Sequence, residues 1–274
     1  MDANCDGSVD WDEYLSYMLL EFQEKSQMSS VVEGGLFTPD SFRDLVSNHR
    51  DAIIKIIFVP NVTNSRGEML KEVDYSNGRY ITAGRDGRIN FWSIDYQLQK
   101  SCFIDNLKDV SLWLTDMVCL PNINMLACAS TDRNIMFYEF TGSFFEKKYE
   151  IIQMPFSPLC MDYWFDFNNH KTAILIIGDD GGNVSTIQFS DIVAGPFGQL
   201  QDKLRGAPQV SFRSLLKGKY PMAKTKMNEK VHRDWVNQVN NEIYSPSNTV
   251  CASSLCCSVS SPMTRGFQFI AICC

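Results

Sequence analysis

Apolar positions follow two different periods along this chain. Near the start, Trp11, Tyr14, Leu15, Met18, Leu19 and Phe22 recur at i, i+3, i+4, i+7, i+8 and i+11, which predicts an amphipathic helix with its stripe packed against a neighbour. After residue 48 the helical period gives way to short apolar runs broken by turn residues. Residues Arg79 to Ile94 read as a strand, a tight turn at Asp86-Gly87 and an alternating strand. Met125 to Phe140 repeats that plan around Asp132, and Thr172 to Phe189 repeats it around Asp180. The turn aspartates are 46 and 48 residues apart, too long an interval for successive hairpins alone.

A second echo accompanies this repeat. His49-Arg50-Asp51 is followed by Ile53 and Ile56, and His232-Arg233-Asp234 by Val236 and Val239; Leu114 and Met117 keep the apolar spacing without a histidine. These segments predict the first strand of each repeated unit. Residues 1–28 form one region, 29–48 a connector, 49–255 the repeat region and 256–274 an atypical Ser/Cys-rich tail. Within the connector, Gly34-Gly35 breaks the pattern and Thr38-Pro39-Asp40 predicts the start of a short helix. Residues 195–230 read as an insertion carrying Arg213, Lys217, Lys219, Lys224, Lys226 and Lys230, either a solvated surface loop or a docking site for an acidic partner. In the tail, Cys273-Cys274 offers a lipid acceptor only weakly, and a truncated or spliced end explains the segment more simply.

The first thirteen residues carry a sharper signal. An EF-hand loop needs oxygen ligands at positions 1, 3, 5, 7, 9 and 12 and glycine at 6. Asp2, Asn4, Asp6, Ser8 (through its carbonyl), Asp10 and Glu13 fill those positions, and Gly7 supplies the turn. This oxygen set suits a hard cation, so Ca2+ is the expected cofactor. The helix predicted from Trp11 onward leaves the loop where an exiting helix belongs. Only Met1 precedes Asp2, so half of the motif is present and the chain reads as a fragment, a variant or a late-start product.

Charge and composition narrow the function classes. Of 274 residues 45% are hydrophobic, enough for a sizeable core, and the net charge is -7. That balance argues against a nucleic-acid or membrane-surface partner. With neither an 18-residue apolar run nor a signal peptide, a soluble, cytoplasmic protein is expected. The ten cysteines include no C-x-x-C pair, and reduced, mostly buried thiols are expected.

The repeat interval is close to the ~40–45 residues of a WD-repeat blade. Together with the N-terminal loop, the chain resembles the group of EF-hand-bearing WD-repeat proteins that includes WD repeat-containing proteins 49 and 64. The resemblance implies a mainly β fold: a partial WD-repeat β-propeller of three blades plus part of a fourth, preceded by half an EF-hand and its exiting helix. It also implies a hydrogen-bonded structural tetrad in each blade. In the first repeat the tetrad falls on His49, Thr82, Asp86 and Trp92. In the second, Cys128 and Tyr138 replace the hydroxyl and the tryptophan; in the third, Ile176 takes the hydroxyl position and an extra residue follows the turn. The alternative architecture for the repeat region is an antiparallel sandwich.

No nucleophile elbow, phosphate-cradling loop or metalloprotease helix occurs, and the chain has three histidines. The reading is a non-enzymatic, calcium-binding scaffold that holds other proteins on its propeller surface, with the family pointing to a cilium, axoneme or cytoskeletal assembly. Two alternatives stand beside it: a structural subunit with a vestigial EF-loop, and a non-functional truncated product.

Overall fold

The computed structural model describes residues 11, 13–20, 45–63, 69–104, 112–141, 144–198, 207–242, 249–254 and 269–271. The chain divides into two compact units, residues 1–46 and 47–274.

In the first unit, residues 11 and 13–20 are helical. Trp11 stacks on Tyr14 with ring centroids 5.5 Å apart. The described members of the apolar stripe, Trp11, Tyr14, Leu15, Met18 and Leu19, are all exposed. The expectation of a packed face is therefore corrected: a stripe is buried only where a second apolar surface meets it, and the described residues of this unit supply none. Asp2, Asn4, Asp6, Ser8, Asp10 and the helix start at Thr38 lie outside the described residues.

The second unit is built of β-sheets, four among the described residues. Blade one runs β1 (Ile53–Thr63), β2 (Met69–Gly84), β3 (Arg88–Trp92) and β4 (Leu98–Phe103), each antiparallel to the next. Blade two repeats this order with β5 (Leu114–Leu120), β6 (Met125–Ser130), β7 (Asn134–Glu139) and β8 (Glu146–Ile152). Blade three begins with β9 (Pro158–Phe165), β10 (Ala173–Asp179) and β11 (Val184–Phe189). The chain then adds β12 (Gln209–Ser211) in parallel to β8 of blade two, turns through the short helix Phe212–Leu216, and returns as β13 (Ala223–Asn228), the outer strand of blade three. A fourth sheet comprises β14 (Val236–Glu242), β15 (Thr249–Ser254) and β16 (Phe269–Ala271), the last pairing parallel to β15.

Stacking between blades explains the sequence of the inner strands. Strand β10 is buried along its whole length because blade two and the fourth sheet cover its two faces, and its apolar run Ala-Ile-Leu-Ile-Ile suits both. Ile81, Ala83, Ile89 and Phe91 of blade one form one core with Leu114, Met117, Leu126 and Met136 of blade two. Ala127, Ala129, Ile135 and Phe137 repeat that role toward Met161, Leu175, Ile177 and Ile187 of blade three. Ile176 and Val184 do so toward Val236 and Val239 of the fourth sheet. Three successive interfaces of one kind describe stacked blades and replace the two-sheet sandwich; the described residues form no closed ring.

Several expectations are corrected here. Residues 195–230 are not simply a surface insertion: β12 and β13 lie in sheets, and Val210, Phe212 and Leu215 enter the core between blades two and three. The tail segment 269–271 is a strand. Strand β2 starts ten residues before Arg79, and the turn-like Asp74–Gly78 is a bulge inside it. The Asp74 carboxylate accepts the amides of Ser76 and Asn77, and register resumes at Arg79. A Cβ at Gly78 would press on the Phe58 ring and the Val59 carbonyl, which favours glycine there.

Candidate functional site

In blade one the hairpin between β2 and β3 brings His49, Thr82, Asp86 and Trp92 together. Trp92 Nε1 donates to Thr82 Oγ1 at 3.0 Å, and Thr82 Oγ1 lies 2.8 Å from His49 Nε2. Indole can only donate, so the Thr82 oxygen accepts from Trp92; its remaining bond to His49 Nε2 runs from the hydroxyl when the imidazole proton is on Nδ1, and toward it in the other tautomer. Nδ1 is 3.9 Å from Asp86 Oδ1, an electrostatic contact longer than a hydrogen bond. Burial lowers the His49 pKa, the Asp86 charge opposing it, which keeps the ring neutral. Asp86 binds the loops instead: its carboxylate accepts the amides of Arg50 at 3.0 Å and Arg88 at 3.1 Å.

The other repeats hold their turns differently. In blade two, Ser130 Oγ and Asn134 Nδ2 both donate to the Asp132 carboxylate. Tyr138, at the position of Trp92, stacks flat on Phe145 at 4.6 Å. In blade three the register corrects the assignment of Asp180. The third loop residue is left-handed in each hairpin, at Gly87, Arg133 and Gly182, so Gly181 occupies the place of Asp86 and Ile177, rather than Ile176, that of Thr82. The turn is held from the preceding position by buried Asp179, which accepts the amides of Gly181 and Asn183, both at 2.9 Å. Asp180 reaches back to the Ser157 amide at 3.0 Å. Ahead of the fourth sheet, His232 is buried, and its Nε2 has no hydrogen-bond partner among the described residues. The backbone register puts position 252 where Thr82 stands in blade one.

Two further arrangements escaped the sequence reading. The inner strands place Lys55, Asp116, Cys160 and Gln238 at one equivalent position in successive blades, around a cleft of ≈ 270 Å³. Three of these side chains cross to the next blade. Lys55 Nζ meets Asp116 Oδ1 at 2.9 Å, the Met161 amide donates to Asp116 Oδ2 at 2.7 Å, and the Cys160 thiol reaches the Val236 carbonyl at 3.2 Å. Burial pushes the Cys160 thiol up to about 12, which suits a packing group. Cys102, Cys119 and Cys128 are likewise free, with burial raising each thiol.

The second arrangement is on the loops. The residue before each inner strand is Ala52, Trp113, Ser157 or Trp235. Trp113 is 40% exposed and Trp235 57% exposed, and the Arg85 guanidinium lies 3.9 Å from the Trp113 ring centroid. Phe156, beside Ser157, is also exposed. Among the described residues no group of three or more acidic, histidine or cysteine side chains gathers as a metal site, and no helix is long and apolar enough to cross a membrane.

No family model matches the chain. Curated proteins do. Over 197 residues, 69% of this chain, it is 27% identical to "WD repeat-containing protein on Y chromosome" of Anopheles gambiae, covering 17% of that protein. Over 270 residues, 93% of the chain, it is 23% identical to the protein of that name from Drosophila grimshawi, covering 18% of it. The Drosophila virilis protein is 24% identical over 260 residues. The chain thus spans about a fifth or less of the length of these curated relatives. Stacked four-stranded blades and these relatives together support a WD-repeat protein.

Proposed function

We propose that the chain is a non-catalytic protein-interaction scaffold whose loop face engages its partners. The observation that carries this reading is the pair of exposed tryptophans at equivalent blade positions, one of them beneath the Arg85 guanidinium. Tryptophan and arginine are the residue types that concentrate binding energy at interfaces, while the scaffold beneath them is already rigid. In this reading His49, Thr82, Asp86 and Trp92 serve the scaffold, with Asp86 holding the loop amides of Arg50 and Arg88. A ciliary or cytoskeletal setting belongs to the proposal on family resemblance alone. The test is quantitative affinity capture with the chain and its Trp113→Ala/Trp235→Ala variant. At least a tenfold loss of a defined set of partners is expected. Undiminished capture of every partner by the folded variant overturns the reading.

Calcium binding by the N-terminal loop belongs to the same proposal. Its donor set is Asp2, Asn4, Asp6, the Ser8 carbonyl, Asp10 and Glu13, all hard oxygens. Glu13 lies among the described helical residues 11 and 13–20, in the helix expected to leave such a loop. No second loop of this pattern occurs in the sequence to brace it. A dissociation constant of about 10⁻⁴ M or weaker is therefore expected. In calorimetry on the whole chain, Glu13→Gln should abolish most of the calcium heat. Submicromolar binding, or full retention by the variant, contradicts this.

A further inference from the structure

The lysines on the outer edges of blades one and two have partners within the chain. On β4, Lys100 Nζ donates to the Phe144 carbonyl at 2.7 Å and lies over the Phe91 and Phe145 rings. On β8, Lys147 pairs with Glu150 at 3.2 Å, and Lys148 with Glu146 at 2.7 Å and Glu139 at 3.2 Å. Strand β12 also covers the edge of β8.

Blade three differs from both in its unpaired lysines, and from blade two in its open edge. Its outer strand β13 ends its sheet with no further described strand beside it. Arg213, Lys217, Lys219, Lys224, Lys226 and Lys230 are all exposed around it, and none forms an ion pair among the described residues. Glu229 is the single acidic residue between Arg213 and Lys230, in a chain of net charge -7. Ala223 and Met227 turn toward the core between blades two and three, so Lys224 and Lys226 project from the opposite face of the strand. The helix Phe212–Leu216 packs beside β13 and leaves Leu216 41% exposed within the cationic fringe.

From this we infer that the outer rim of blade three docks an acidic, extended segment of a partner protein, with an apolar side chain of that segment on Leu216. An open strand edge offers backbone pairing to any extended chain. The lysine fringe repels basic or like-charged edges, including another copy of β13, and favours an Asp/Glu-rich strand, so charge supplies the selectivity that backbone pairing lacks. The inference goes beyond the scaffold reading, because it rests on β13 and the helix Phe212–Leu216 rather than on the loop tryptophans.

The probe is a fluorescein-labelled peptide alternating Glu with Val and Leu, titrated into the whole chain by anisotropy. Saturable binding is expected, weakening at least tenfold between about 50 and 300 mM salt as the charges are screened. Lys224→Glu/Lys226→Glu should weaken it at least tenfold, whereas Lys147→Glu/Lys148→Glu on blade two should leave it unchanged. Thermal melts of both variants check that the fold survives. Absence of saturable binding, or equal binding by the rim variant, overturns the inference. Tighter competition by a single-stranded oligonucleotide of equal charge overturns it in favour of a phosphate surface. Loss of peptide binding in Trp113→Ala/Trp235→Ala with retention in the rim variant moves the peptide to the loop face, defeating this inference while leaving the scaffold reading intact.

Discussion

Replacing Phe212 with alanine is expected to destabilise the repeat unit by about 3–5 kcal/mol, the range for a fully buried phenylalanine. The ring is 1% exposed in the core shared by blades two and three. Its position magnifies the effect. The segment that carries it has just paired with β8 of blade two through β12, and goes on to become the outer strand of blade three. Phe212 therefore anchors a strap between neighbouring units, and repeat architectures draw much of their stability from such interfaces. Loosening the strap also uncovers the β8 edge, so increased self-association should accompany the loss. Leu216→Ala, on the exposed side of the same helix, should stay within about 0.5 kcal/mol of the parent. The comparison is a pair of denaturant titrations followed by tryptophan fluorescence. Similar midpoints for the two variants would show that the strap is not anchored by its buried face.

That strap is also where the sequence was hardest to read. Lysine at every other position of Ala223-Lys224-Thr225-Lys226-Met227 resembles a solvated loop, yet the same alternation describes an outer strand with one face on the core and one in water. The hairpin at Asp86 was legible because Asp-Gly sits between two alternating runs and Thr82 and Trp92 fall at fixed offsets from it. In blade three the run Asp179-Asp180-Gly181-Gly182 offers two aspartates and two glycines, and spacing alone selects the wrong aspartate. The left-handed residue decides the register, and either glycine could supply it until the backbone shows that Gly182 does. The bulge at Asp74–Gly78 was hidden for the opposite reason, since its residues are those of a true turn. Contacts between blades left still less trace. An isolated Asp116 within Leu-Thr-Asp-Met-Val-Cys-Leu signals a buried acid, but nothing local names its partners, which come from the blades on either side.

Asp116→Ala is accordingly expected to cost about 2–3 kcal/mol, the cost of removing a charged acceptor from buried partners. The Met161 amide loses its acceptor in the core, whereas Lys55, about one-third exposed, retains access to water and adds less. Asp116→Asn keeps an oxygen for Met161 and should cost less than half as much. The pH dependence then separates two accounts of the acid. Burial raises the Asp116 pKa, against the opposing pull of Lys55 and the hydrogen bonds from the Met161 and Met117 amides. A carboxyl whose folded pKa exceeds its unfolded value binds protons more readily when folded. Its contribution is most favourable below the unfolded pKa and is lost as pH rises through the folded one. The stability of the parent relative to Asp116→Asn should therefore fall as pH rises above about 4. If the pull of Lys55 outweighed burial, the folded pKa would be depressed and the difference would instead grow with pH over the acid range. Paired denaturant titrations of parent and Asp116→Asn across that range measure the sign directly, and a rising difference would make the Lys55–Asp116 contact the dominant influence on the inner-strand cleft.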